Sequence, residues 1–188
     1  MAHSIDWTGL SERIFILHNM CHASRSLCSQ YRIGRIVEGE VEYNWDDYFG
    51  QLKVLVCELL IHLAIRIRII EDSAISDEQD IEWAKIDKET QKGLTLANYL
   101  KGQGKITIRE LCNKIIHATD ITLNWATFKR NETNSPEYWT GTKWLFGKKG
   151  KSEWKLEINV DALCVAFRRY INALEEEINW DSLYKYDI

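Results

Sequence analysis

Proline is nearly absent from this chain, with one in 188 residues, and the ten glycines form no Pro-, Gly- or Ser-rich run. Nothing therefore reads as a linker or a disordered stretch, and one continuous domain over 1–188 is expected. No apolar run approaches the roughly 20 residues needed to cross a bilayer, and no basic-then-apolar stretch near the start resembles a secretion signal. The expectation is a cytoplasmic protein with no membrane partner. The five cysteines, Cys21, Cys28, Cys57, Cys112 and Cys164, include no CxxC pair. An odd number of scattered thiols suits free, buried side chains in a reducing compartment better than a disulfide framework. A formal net charge of -4 excludes a polycation that coats nucleic acid through bulk electrostatics, so any such contact has to come from a local basic patch.

What the chain does have is helical periodicity. Leu10, Ile14 and Leu17 mark a helix from about Thr8 to Tyr31, and a polar connection through Gly34 and Gly39 follows. Asn44, with Asp46 and Asp47 behind it, opens a second helix. Its stripe of Leu52, Leu55, Val56, Leu59, Leu63, Ile67 and Ile70 is the strongest in the chain and predicts the central core helix. Ser76 and Gln79 form a weaker capping box for a third helix reaching about Gly93, and Leu94 to Leu100 is expected to complete that element before Gly102-Gln103-Gly104 turns the chain. Asn159 or Asp161 caps a last helix with a stripe through Leu163, Phe167, Tyr170, Ile171, Leu174 and Ile178. The aromatic tail, with Trp180, Tyr184 and Tyr186, is expected to fold back on the bundle or onto another subunit.

Between the helices the period changes. Ile121, Leu123 and Trp125 alternate with Thr122, Asn124 and Ala126, and Trp154, Leu156 and Ile158 alternate with Glu153, Lys155 and Glu157. Together with the segment from Tyr138 to Gly147 and a turn at Gly147 to Gly150, these predict a three-stranded antiparallel insertion at about 119–159. The fold class is thus mainly α, about five helices in a bundle with a small sheet inserted before the last helix.

The stretch that organises the reading is Thr107 to His117. Thr107 and Glu110 make a capping box, so a helix begins near Ile108. Ile108, Leu111, Ile115 and Ile116 supply its apolar stripe, while Arg109, Asn113 and His117 recur every fourth residue on a second face. A cation, an amide and an imidazole are presented together there.

This helix, ending in Asn113, Lys114, Ile115, Ile116 and His117 before a β-rich segment, resembles the HEPN superfamily of small helical-bundle proteins. Members of that family carry an arginine followed closely by a polar residue and then a histidine. Asn113 and His117 match the last two; Cys112 stands where the arginine would be, and Arg109 lies one turn earlier. The resemblance extends as architecture over about residues 8 to 178. It implies a homodimer of defence or toxin-antitoxin type, with an RNA substrate and an antitoxin or other protein partner. It also implies a metal-independent endoribonuclease, without a cofactor, in which His117 moves the proton, Arg109 or Lys114 stabilises the phosphate and Asn113 orients them. A catalytically silent binding module for a protein or nucleic acid is the alternative on the same scaffold.

Two further groupings carry chemistry. Lys143, Lys148, Lys149, Lys151 and Lys155 lie beside Trp139, Trp144 and Trp154, and cations interleaved with aromatic faces suit a single-stranded nucleic acid; Trp144 and the first four lysines are the candidate contacts. His18 and His22, four apart on one helix, have metal-binding spacing, and with Glu58, His62 and His117 on other helices they define a second alternative, a metal-dependent hydrolase.

Overall fold

The structure, a computed structural model, describes residues 6–34, 44–129 and 135–183. These residues hold α1 (Trp7–Gln30), α2 (Trp45–Ser76), α3 (Trp83–Thr90), β1 (Ala97–Lys101), α4 (Ile108–Ile116), β2 (Asp120–Thr127), β3 (Glu137–Lys149), β4 (Ser152–Asn159), α5 (Val160–Glu177) and the single turn α6 (Trp180–Leu183). The mainly helical class holds, but the sheet has four antiparallel strands in the order β1-β4-β3-β2 and not three. No helix among the described residues is long and apolar enough to cross a membrane.

The fourth strand comes from the segment expected to finish the third helix. Ala97 is buried, Asn98 exposed, Tyr99 half-buried and Leu100 exposed, a period of two that satisfies β4 along its free edge through Ala97 opposite Ile158 and Tyr99 opposite Leu156. The capping box at Ser76 is also displaced. α2 continues past Ile70, so Ser76 falls in its last turn, and Gln79 instead donates to Asp77 and to the Asn179 carbonyl. α3 then starts at Trp83 without a side-chain cap. The hairpin turn lies at Gly150 and Lys151, later than expected, because Gly147 stays in the strand under Trp154; a Cβ at Gly147 would run into that indole.

The other caps follow their chemistry. Asn44 accepts from Asp46 N at 2.9 Å, Thr107 Oγ1 from Glu110 N at 3.1 Å, and Asn159 Oδ1 from Ala162 N at 3.1 Å. One face of the sheet packs against the helices, with Leu145, Leu156 and Ile158 meeting the stripes of Ile14 and Leu17, Leu60, Leu63 and Ile67, and Phe167. Buried Ser24 ties three elements, accepting from Tyr48 Oη at 2.8 Å and from Trp139 N at 3.0 Å. Trp180 closes the end of the bundle edge-on against Trp7, ring centroids 5.0 Å apart. Tyr184 and Tyr186 lie outside the described residues. All five cysteines are free, with Cys28, Cys112 and Cys164 buried and Cys21 and Cys57 half-buried.

Candidate functional site

The motif helix α4 packs on α2, and that packing decides what Arg109 does. Arg109 donates from Nη1 to Glu71 Oε2 at 2.8 Å and from Nη2 to Asp72 Oδ1 at 2.6 Å. Arg68 also grips Asp72, at 2.9 Å, and Tyr170 Oη donates to Glu71 Oε1 at 2.5 Å. Glu71 is only 1% exposed; burial pushes its carboxyl up, against the Tyr170 hydrogen bond and the Arg109 charge. Burial alone would also raise Asp72, but the hydrogen bond and charge of Arg109 overrule it and hold that carboxyl low. Two guanidinium groups therefore face two carboxylates, and the group is neutral. The adjoining cleft of about 280 Å³, bounded by Trp83, Asp87, Lys105 and Tyr170, offers a phosphate no unpaired guanidinium.

The other residues of the motif are not brought to Arg109. His117 is the C-cap of α4, exposed, and no side-chain partner for it exists among the described residues. Seven residues lie between it and Arg109, about 12 Å of helical rise, while the guanidinium is turned toward Glu71 and Asp72. Asn113 is half-buried and accepts the capping His117 N–H through its backbone oxygen. Lys114 pairs with Glu110 at 3.4 Å and lies over the Trp154 ring at 4.4 Å from its centroid. Cys112, at the position of the family's arginine, is fully buried, and its thiol is pushed well up by that burial. The expected catalytic quartet is thus spread over three environments.

The basic hairpin divides by strand parity. Lys143 is the residue that sequence reasoning misplaced: it points inward with Trp139 and Leu145, is 0% exposed, and its Nζ has no hydrogen-bond partner. Desolvation lowers its pKa to about 8, with Cys57 opposing and Lys53 reinforcing the shift. It cannot touch a phosphate without leaving the core. Trp144 and Phe146 alternate onto the opposite, outer face, and Lys155 from β4 lies between them, its Nζ 3.8 Å from the Trp144 centroid and 5.0 Å from that of Phe146. Glu157 accepts from Trp144 Nε1 at 3.0 Å and from Asn124 Nδ2 at 3.3 Å, which fixes the indole plane. Both rings are half-buried, and Lys155 is their cation partner among the described residues.

The charge at the hairpin end of the same face is local and positive. Lys148, Lys149 and Lys151 are exposed, and Lys101 sits across the ladder from Lys155. At the tip Glu153 pairs with them, held low by the Lys101 hydrogen bond at 2.8 Å and by Lys148 at 3.6 Å. With Asp120 opposite Phe146 and Glu157 opposite Trp144, five lysines stand against three carboxylates, which leaves a local excess of positive charge inside a chain that is acidic as a whole.

No family model, curated protein or solved structure matches this chain.

The histidines expected for a metal-dependent hydrolase do not converge as a set. Glu58 and His62 are exposed on α2, and His117 is exposed at the end of α4. His18 and His22 meet Asp161 instead, a residue expected only as a helix cap. Its carboxylate Oδ1 is 2.8 Å from the Nε2 of each ring. A sequence separation of 139 between His22 and Asp161 hid the pairing.

Proposed function

We propose that this chain is a HEPN-like binding module for single-stranded nucleic acid, RNA in the first instance, and that it does not cleave what it binds. The observation that carries the reading is the row of aromatic rings and a lysine on the outer face of the sheet. Trp144 and Phe146 on β3 present ring faces with the Lys155 ammonium between them. Aromatic faces stack on unpaired bases and neighbouring cations meet the phosphates, an arrangement that tolerates sequence variation because every base has a π-face. The lysines of the hairpin end extend the positive field along one direction of the strand.

Absence of cleavage rests on the Arg109 cluster. Moving the guanidinium from Glu71 to a phosphate would strand a carboxylate that is 1% exposed, at a cost of about 3 kcal/mol or more. Lys114 offers only a point charge, already set against Glu110 and Trp154.

The test is fluorescence anisotropy with a labelled single-stranded RNA and its duplex form, in chelator, followed by a gel of the same RNA. Saturable binding to the single strand, weaker binding to the duplex and intact RNA are expected. RNA cut by wild type and spared by His117→Ala would replace this reading with the ribonuclease one. The HEPN-like reading also carries a homodimer, twice 22.1 kDa by light scattering; a monomer at every concentration would remove that part of it.

A further inference from the structure

The cluster on the opposite side of the molecule from the hairpin tip has a different chemistry. His18 and His22 lie one turn apart on α1 with ring centroids 5.1 Å apart, and Asp161 reaches them from the first turn of α5. Both Nε2 atoms are 2.8 Å from the same carboxylate oxygen, and the three donor atoms all lie within 4.8 Å of one another. We propose that His18, His22 and Asp161 form a binding site for a first-row divalent metal ion, zinc being the probe of choice.

The distances bear directly on this. An ion about 2.0–2.2 Å from each donor separates neighbouring donors by about 2.8–3.6 Å for coordination angles between octahedral and tetrahedral. The two His–Asp separations, 2.8 Å, lie at the short end of that range, and the imidazole donors, within 4.8 Å of one another, have to draw together by rotation of the rings to complete the set. Two imidazoles and one carboxylate are the donor types that borderline divalent ions take, and three protein ligands leave further positions to water. The exposure of the side chains, 31% for His18, 68% for His22 and 45% for Asp161, provides the entry path and the room for those waters. An ion held there joins α1 to α5, elements that are far apart in the chain. Glu58 and His62 take no part.

The full-length protein, stripped with chelator and dialysed, is titrated with zinc by calorimetry, and its melting temperature is followed with and without the ion. Free thiols also take zinc, so Cys21→Ser, which removes the thiol next to His22, is titrated alongside. The expected result is one equivalent bound by wild type and by Cys21→Ser, with a raised melting temperature in both. Affinity should fall by more than about tenfold in His18→Ala, His22→Ala and Asp161→Asn. His22 is largely solvent-exposed, so its variant keeps the fold and isolates the ligand's contribution. No saturable binding by wild type, binding unchanged in Asp161→Asn and His22→Ala, or binding lost only in Cys21→Ser would each overturn the site. Single-stranded RNA binding, on another face, is expected to be the same in all these variants, which separates failure of this proposal from failure of the functional one.

Discussion

Lys143 and Lys155 belong to neighbouring strands of one sheet and meet opposite fates. Lys143 on β3 faces the helices and is buried without a partner, its pKa lowered to about 8. Lys155 on β4 faces outward and lies over Trp144. The difference is one step of strand parity, and it converts the same side chain from a cost to the fold into a candidate ligand for phosphate. Residue type alone does not define a basic patch in a sheet; parity does.

The largest effect is expected where a buried charge loses its partner. Arg109→Ala leaves Glu71 and Asp72 against Arg68 alone, and because Arg109 is itself partly exposed the loss should be about 3 kcal/mol in chemical unfolding. Arg109→Ala combined with Glu71→Gln should cost less than the sum of the two single variants, and a double-mutant cycle reads that directly.

Next comes the inner lysine. Lys143→Met removes an uncompensated ammonium while keeping most of the volume, and should stabilise the protein by about 1–3 kcal/mol. The pH dependence has a definite sign. The folded pKa of Lys143, about 8, lies below the ordinary 10.5, so between those values the unfolded chain binds more protons and stability rises with pH. The gain over that window is up to about 3 kcal/mol, and the Lys143→Met protein should lack it. Unfolding curves at pH 7.5, 8.5 and 9.5, about the window set by that shift, check the slope.

On the outer face the expected signs reverse. Trp144→Ala should change stability by less than about 1 kcal/mol, yet weaken single-stranded RNA binding by about 5- to 100-fold, the contribution of one stacked base. Removing Lys149 or Lys151 should have the smallest effect, a reduction of about 0.7 in the slope of log affinity against log salt for each phosphate that is no longer neutralised.

Much of this was legible from spacing. The caps at Asn44, Thr107 and Asn159, the core stripe of α5, that of α2 apart from exposed Leu55 and half-buried Leu59, and the hairpin strands rest on local patterns that tertiary packing respected. β1 was missed because Leu94, Leu96 and Leu100 fit a helix as readily as a strand, and only the free edge of β4 decides between them. The Arg109 cluster had a signal that went unread: Glu71 continues the stripe of Leu60, Ala64 and Ile67 by one more step of three or four, so a carboxylate sat on a core face and required a cation. Lys143 had the same kind of signal, standing in the inward register of Trp139 and Leu145. Asp161 had none, because its role beside His18 and His22 exists only once α1 and α5 are packed together.

The proposed RNA surface is the outer face of the sheet alone, and two substitutions on adjacent residues of β3 test it. In an anisotropy titration of one labelled single-stranded RNA at low salt, Trp144→Ala should lose most of the affinity while Lys143→Met keeps that of wild type. Equal affinity in all three proteins, or a loss confined to Lys143→Met, would contradict the account.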